Sequence, residues 1–187
     1  MKLWLLRHAQ VTLESGLCYG STDVPADPAL NQQAAGSAAA LLPRGVPVRV
    51  SGLGRAQQLA RELCRLRPDL QPPAIDSRLN EMNFGRWELQ RWDAIPRADF
   101  EAWMTDFAHH RFGGGESTQE VLDRVTDALV EQQALGLPDA VWVTHAGVIR
   151  AVRYLSEHGR CTIREAAQWP REAPAPGGVE VLDFGGQ

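Results

Sequence analysis

Short apolar runs that each end in polar residues and lead into a helical pattern constrain this fold more than any other feature. Residues 3–6 (Leu-Trp-Leu-Leu) end in Arg7-His8, and residues 141–144 (Val-Trp-Val-Thr) end in His145. Short runs of this kind are typical of buried strands. Because these strands alternate with amphipathic, helix-like stretches, the sequence predicts an α/β sandwich with a largely parallel sheet.

The remaining elements follow from the same patterns. Strands are expected at residues 3–6, 46–51, 74–76, 141–144 and 179–184, the last of them at an edge of the sheet. Helices are expected at residues 30–42 and 55–66, from the capping box at Ser117 onward, and after Gly147. Residues 80–112 are rich in aromatic side chains and predict a loop with one or two helices. A length of 187 residues predicts one domain over residues 1–187.

Charge and cysteine content argue against several classes of protein. The net charge is −4, which gives no support to nucleic-acid binding. The three cysteines are odd in number and widely spaced, so neither a disulfide framework nor a zinc site is indicated. The apolar start is too short for a signal peptide or a membrane span. We expect a cytoplasmic protein that binds neither nucleic acid nor membranes, and its oligomeric state stays open.

Three polar groups fall at or just beyond predicted strand ends: Arg7-His8, Arg55 and His145. In open α/β sheets, ligands bind at the carboxyl ends of the strands, so we expect these groups to converge. Each has a plainer interpretation when taken alone. An Arg-His pair is close to chance frequency in this chain, His145 fits a core histidine, and Arg55 fits a surface residue at a helix start. Their joint placement favours a binding site.

Four segments, in order along the chain, resemble the histidine phosphatase superfamily, also called the phosphoglycerate mutase-like family. A Gly-Gly-Glu-Ser turn at residues 114–117 matches a further family segment. The four segments are Leu5-Leu6-Arg7-His8-Ala9, Ser51-Gly52-Leu53-Gly54-Arg55-Ala56, residues 79–88 (Leu-Asn-Glu-Met-Asn-Phe-Gly-Arg-Trp-Glu), and residues 144–150 (Thr-His-Ala-Gly-Val-Ile-Arg). The resemblance implies a three-layer sandwich, in which a mostly parallel central sheet carries helices on both faces.

The resemblance also implies a phosphomonoesterase that works through a phosphohistidine intermediate. His8 is the implied nucleophile, since neutral imidazole is a good nucleophile near pH 7. Arg7 and Arg55 are implied to hold the phosphoryl oxygens, and His145 to donate a hydrogen bond to one of them. Glu81 is implied to protonate the leaving group and then activate water. Since arginines supply the positive charge, neither a cofactor nor a metal is expected.

Three further positions near these motifs are candidate binding residues. Gln10, Tyr19 and Ala146 are expected to help bind the phosphate or the substrate. The chain also departs from the family pattern at four places: Val11 replaces threonine, Glu14 replaces asparagine, Gly52 replaces proline, and Leu89 replaces glycine. A carboxylate at Glu14 would repel a phosphate, so either its side chain points away or the local alignment differs.

The substrate is the most open question. Residues 18–23 (Cys-Tyr-Gly-Ser-Thr-Asp) resemble a stretch of the α-ribazole phosphatases, which remove the 5′-phosphate of α-ribazole phosphate in cobalamin biosynthesis. This makes α-ribazole 5′-phosphate the leading small phosphorylated substrate. The alternatives are a broad-specificity sugar or metabolite phosphatase, a phosphoglycerate mutase, or a phospho-ligand-binding module of low activity.

Other phosphatase classes lack their motifs. Cysteine-dependent enzymes need an arginine six residues after the nucleophile, but Val24, Leu70 and Ala167 stand at those positions. No two aspartates have the Asp-x-Asp spacing of the haloacid-dehalogenase class. A P-loop needs a lysine, and the only lysine is Lys2.

Overall fold

The computed structural model describes residues 1–185 and is built on a five-stranded sheet. The strands are β1 (Lys2–Arg7), β2 (Val48–Val50), β3 (Ala74–Ile75), β4 (Asp139–Thr144) and β5 (Val179–Asp183). They lie in the order β3-β2-β4-β1-β5. Four strands are parallel, and β5 runs antiparallel to β1 along one edge. Both the parallel sheet and the edge position of the last strand are therefore confirmed.

Helices cover both faces of this sheet and complete the predicted three layers. Helices α1 (Pro28–Ala39) and α2 (Gly54–Leu66) pack on one face of the sheet. Helices α4 (Thr118–Ala134) and α5 (Ala146–His158) pack on the opposite face. Strand β4 shows the division, because Ala140 and Trp142 face one buried cluster while Val141 and Val143 face the other. No helix within residues 1–185 is long and apolar enough to cross a membrane. Helix α3 (Arg97–Thr105) lies between α2 and α4 along the chain.

Element boundaries differ from the sequence predictions for local reasons. Helix α1 begins two residues early because the Asp27 carboxylate accepts hydrogen bonds from the next free backbone N–H groups, and proline suits the first turn. Strand β2 is shorter than residues 46–51, since Pro47 has no N–H for the ladder. The predicted capping box is confirmed at Ser117, whose side chain and that of Glu120 cap each other's backbone.

The aromatic middle of the chain forms a small third core. It contains one α-helix, α3, with short 3₁₀ turns on either side. Cys18 and Phe112 are fully buried there, packed against partly buried aromatic side chains. Burial raises the pKa of the Cys18 thiol to about 12, so the thiol stays protonated and acts as a small apolar group.

Leu89 is the one non-glycine residue with a positive φ (64°) in the described part of the chain. Its backbone N–H donates to the Cys18 carbonyl (2.7 Å), which holds the turn in this conformation. Left-handed backbone costs a residue with a Cβ about 1–2 kcal/mol. This is the position where the family pattern has glycine, so the departure carries local strain.

Replacing Leu89 with glycine should stabilise the protein, because the released strain exceeds the roughly 0.5–1 kcal/mol that glycine costs in chain entropy. The expected gain is up to about 1 kcal/mol in the unfolding free energy, measured by urea denaturation. Leu135→Gly is the matched control, since Leu135 is similarly exposed but has a φ of −69°. This control should lose about 0.5–1 kcal/mol. Equal losses in both variants would contradict strain at Leu89.

Candidate active site

Polar residues follow three adjacent parallel strands, at the end of the sheet where the carboxyl ends of these strands lie. His8 follows β1, Ser51 follows β2, and His145 follows β4. Arg7 is the last residue of β1, and Arg55 lies in the first turn of α2. The His8 and His145 rings have centroids 5.1 Å apart. The structure thus brings together groups that are far apart in sequence, as the strand ends predict.

His8 is 3% exposed and has one ring nitrogen fixed by the backbone. Its Nδ1 lies 2.7 Å from the carbonyl oxygen of Ala9. Because a carbonyl only accepts, Nδ1 carries the proton and Nε2 keeps a lone pair. Burial, together with the nearby Arg55 and Arg7 charges, lowers the pKa of His8 to about 3. The ring is therefore neutral at physiological pH and has a free nucleophilic nitrogen.

Arg55 is completely buried and is held by backbone carbonyls. Its Nη1 donates to the Thr22 carbonyl (2.8 Å) and its Nη2 to the Gly20 carbonyl (2.5 Å). Its Nε is buried and has no hydrogen-bond partner within residues 1–185. The guanidinium carbon lies 5.2 Å from the centre of the Tyr19 ring. Burial lowers the pKa of Arg55, but guanidinium stays charged, so this pocket holds a cation with an unused donor.

Glu88 fixes the turn that holds Arg55. Its carboxylate accepts hydrogen bonds from the backbone N–H and the hydroxyl of both Ser21 and Thr22, and from the Phe84 N–H (3.0 Å). Burial alone would raise the pKa of Glu88, but these hydrogen bonds outweigh it and lower the pKa. Glu88 is not among the predicted site residues, although it belongs to the Trp-Glu motif. Glu88 supports Arg55 indirectly, through the turn that it binds, and this arrangement is visible only in the folded structure.

Arg7 is tied to the loop before β5. Its Nη1 donates to the Pro174 carbonyl (2.8 Å), and its backbone N–H donates to the Gly178 carbonyl (3.0 Å). The Gly177 N–H donates in turn to the His8 carbonyl (2.9 Å). The predicted loop at residues 170–178 therefore forms a wall of the site. Nothing in its sequence indicated this contact.

Glu81 lies at the N-terminus of α5, next to His145. Its two carboxylate oxygens accept hydrogen bonds from the backbone N–H groups of Met82 and Gly147, both at 3.0 Å. A Cβ at Gly147 would lie 2.2 Å from Oε1, so a side chain at this position would displace the carboxylate from where it lies. The helix N-terminus also favours a negative charge here. Ala146 begins the same helix and is mostly buried.

The remaining positions that the sequence analysis singled out lie in different surroundings. Tyr19 lies against Arg55, as described, whereas the side chain of Gln10 is exposed and its carbonyl accepts the Asp27 N–H (2.8 Å). Val11 is buried and forms an isolated bridge with Ala26. Glu14 is exposed and forms an ion pair with Arg91 (3.2 Å). Its carboxylate is thus neutralised by a partner of its own.

Within the described residues, no group of three or more His, Cys, Asp or Glu side chains is arranged to hold a metal ion. The positive charge beside His8 comes instead from Arg7 and Arg55. A pocket with two guanidinium groups and neutral imidazoles suits a phosphoryl group, whose oxygens accept several charge-assisted hydrogen bonds. Glu81 is the one carboxylate among the five implied catalytic residues.

The lowered pKa of His8 predicts a specific pH dependence of stability. Between about pH 6.5 and pH 3, His8 stays neutral in the folded protein while the unfolded chain takes up a proton at this imidazole. The unfolding free energy therefore falls as pH falls, by up to about 1.4 kcal/mol per pH unit for this group. His8→Gln should remove that share of the slope in urea denaturation between pH 6 and pH 4.

The same substitution at the exposed His109 is the control and should leave the slope close to that of the unmodified protein. An unchanged slope in His8→Gln would show that the folded protein protonates His8 as readily as the unfolded chain does.

Comparisons with known proteins agree with this geometry. The family model described as "Histidine phosphatase superfamily (branch 1)" matches residues 3–184. The adenosylcobalamin/alpha-ribazole phosphatase of Salmonella typhimurium is 33% identical over 159 residues, covering 80% of this chain and 76% of that protein. The crystal structure of a phosphoglycerate mutase from Thermus thermophilus is similar with a TM-score of 0.72 and 30% identity, over 99% of this chain and 94% of that one.

A mycobacterial glucosyl-3-phosphoglycerate phosphatase is also similar in structure. Its TM-score is 0.69 at 26% identity, over 83% of this chain and 78% of that one. The two solved structures carry names with different substrates but are both similar in fold to this chain, and the family model spans nearly the whole chain. The chain therefore belongs to the histidine phosphatase superfamily.

Proposed function

We propose that this protein is a phosphomonoesterase that transfers a phosphoryl group to Nε2 of His8 and then to water. The observation that carries this proposal is the state of His8 itself. Its Nδ1 proton is fixed on the Ala9 carbonyl, its pKa is low, and two arginines adjoin it. A neutral imidazole with a free Nε2 between cations is suited to attack an anionic phosphorus centre.

The proposed reaction has two steps, phosphoryl transfer to His8 and hydrolysis of the phosphohistidine. The Nε2 lone pair of His8 forms a bond to phosphorus while the bond from phosphorus to the ester oxygen breaks. Glu81, which enters the cycle protonated, gives its proton to that oxygen and becomes a carboxylate that the Met82 and Gly147 N–H groups stabilise. Water then attacks the phosphohistidine, Glu81 takes the water proton, and the P–N bond breaks to release inorganic phosphate. Arg7 and Arg55 hold the phosphoryl oxygens throughout.

The leading substrate that we propose is α-ribazole 5′-phosphate. A pocket of about 100 Å³ adjoins Glu81, where the leaving group would lie, and its walls are mainly aromatic and apolar. The leaving group of this substrate is a nucleoside with an apolar, planar base, which suits such walls. The names of the Salmonella typhimurium and Escherichia coli relatives support the same substrate. The pocket is lined by Glu81, Met82, Phe84, Trp103, Phe107, Thr118, Val121, Gly147, Arg150 and Trp169.

A phosphoglycerate mutase or a sugar phosphatase is the second candidate, favoured by the similarity to the Thermus thermophilus and mycobacterial structures. Arg150 borders the pocket and offers a cation to a substrate carboxylate. We also propose that residues 1–187 form one histidine phosphatase domain, which the match over residues 3–184 supports.

A rapid quench with a phosphorylated substrate should label His8 with an acid-labile, alkali-stable phosphate. His8→Ala should abolish both the label and turnover, whereas Leu135→Gly, far along the chain at the end of α4, should retain both. Turnover with no label at any quench time would exclude the covalent route.

Glu81→Gln should slow poorly activated esters by roughly 10²–10⁴-fold but activated aryl phosphates much less, because only the former need a proton on the leaving oxygen.

The aromatic pocket predicts a change in substrate preference. Trp169→Ala should lower kcat/KM for α-ribazole 5′-phosphate about tenfold relative to 3-phosphoglycerate, since stacking on a base is worth about 1–3 kcal/mol. Trp4→Ala removes a half-buried tryptophan that donates to Asp139 instead, and it should leave the ratio unchanged. If Trp169→Ala and Trp4→Ala have the same kcat/KM ratio for these two substrates, this pocket no longer supports an aromatic leaving group.

A further inference from the structure

The orientation of the Asn80 amide is set by a backbone donor. Its Oδ1 lies 2.7 Å from the backbone nitrogen of Gly52. Because a backbone N–H only donates, the amide atom facing it is the carbonyl oxygen and not the NH₂ group. This chain has glycine where the family pattern has proline, and proline has no N–H. The departure at Gly52 therefore supplies the donor that orients Asn80.

The same amide oxygen determines where the Ser51 hydroxyl proton lies. Ser51 Oγ is 2.8 Å from Asn80 Oδ1, and an amide oxygen only accepts, so the hydroxyl donates to it. Ser51 Oγ also accepts a hydrogen bond from the Leu53 N–H (3.1 Å). A hydroxyl has a single proton, and here it is already used.

His145 must then donate to Ser51. Its Nε2 lies 2.7 Å from Ser51 Oγ, which has no proton left to give and one lone pair left to accept with. Nε2 consequently carries a proton, and in the neutral ring Nδ1 does not. Nδ1 is fully buried and has no partner among the atoms of residues 1–185. Burial first, then the charges of Arg55 and nearby groups, lower the pKa of His145 well below its usual value, so the ring is neutral.

We propose that Ser51 and Asn80 are positioning residues that keep the proton of His145 on Nε2 and leave Nδ1 unprotonated in the free protein. In this state Nδ1 is a hydrogen-bond acceptor. It becomes a donor to a phosphoryl oxygen only after it gains a proton. This inference rests on the proposed function for its role in turnover, but the tautomer itself is a property of the free protein.

The phosphoryl group can bring the missing proton with it. A phosphomonoester has a second pKa near 6, so at neutral pH the minority that is monoanionic still carries a proton that it can donate. The P–OH proton moves to Nδ1, the O–H bond breaks, and an N–H bond forms. The products are a dianionic phosphoryl group and a His145 imidazolium, which attract each other beside Arg55. Binding thereby converts an acceptor into a charged donor.

The test uses ¹⁵N-histidine NMR on the full chain, with His145→Gln to assign the signals. The free protein should show His145 with Nε2 protonated and Nδ1 bare. Asn80→Ala releases the Ser51 hydroxyl, which then donates to Nε2, so the proton should move to Nδ1. Asn80→Asp keeps acceptor oxygens for Ser51 and should retain the original tautomer. Gln132→Met, a buried polar change behind Trp142, should also leave it unchanged.

A bare Nε2 in the unmodified protein, or the same tautomer in Asn80→Ala and Asn80→Asp, would overturn the proposal. The first of these results needs no variant, so a folding failure in Asn80→Ala leaves the proposal testable. Adding inorganic phosphate should protonate both ring nitrogens of His145 in the unmodified protein. Where a substrate is turned over, Asn80→Ala should lower kcat by about tenfold or more, with Asn80→Asp closer to normal. If no substrate is turned over yet the tautomers are as expected, the proposed function fails and the positioning role stands.

Discussion

The buried guanidinium of Arg55 is the constraint on which the rest of the site depends. A cation removed from water needs compensation, and here backbone carbonyls from the turn at residues 20–22 provide part of it. That turn is held by Glu88, which makes an acidic side chain outside the pocket part of the support for a cation inside it. The buried Nε donor has no hydrogen-bond partner within residues 1–185, so this compensation is incomplete.

The charge of Arg55 also fixes the state of its neighbours. Both His8 and His145 lie close enough for this charge to lower their pKa values, in addition to the effect of burial. Two neutral rings beside a permanent cation can serve different purposes, because each has one nitrogen tied by a partner. His8 is tied through Nδ1 to a carbonyl and His145 through Nε2 to a hydroxyl. The nitrogen that is not tied is therefore Nε2 in His8 and Nδ1 in His145.

Apolar runs and strand ends predicted much of this arrangement, because burial pattern and parallel pairing act over short distances. The largely parallel sheet and the convergence of His8, Arg55 and His145 followed from them, whereas the placement of helices on both faces was implied by the family resemblance. Contacts between distant loops left no such pattern. Glu88 reaches the turn at residues 20–22 across 66 positions or more, and Pro174 reaches Arg7 across 167. The direction of the Glu14 side chain was likewise undecidable until its partner Arg91 was placed.

The interior position of β1 in the sheet has a consequence for how the chain is made. This strand is the first to be synthesised, yet its two neighbours in the sheet are β4 and β5, which begin at residues 139 and 179. Until those segments leave the ribosome, the two hydrogen-bonding edges of β1 have no partner strands. The Arg7-His8 pair acquires its loop wall only when residues 174–178 follow. Folding during synthesis is therefore late and non-local, and a nascent chain that stalls after β2 exposes an unpaired hydrophobic strand to chaperones or to aggregation.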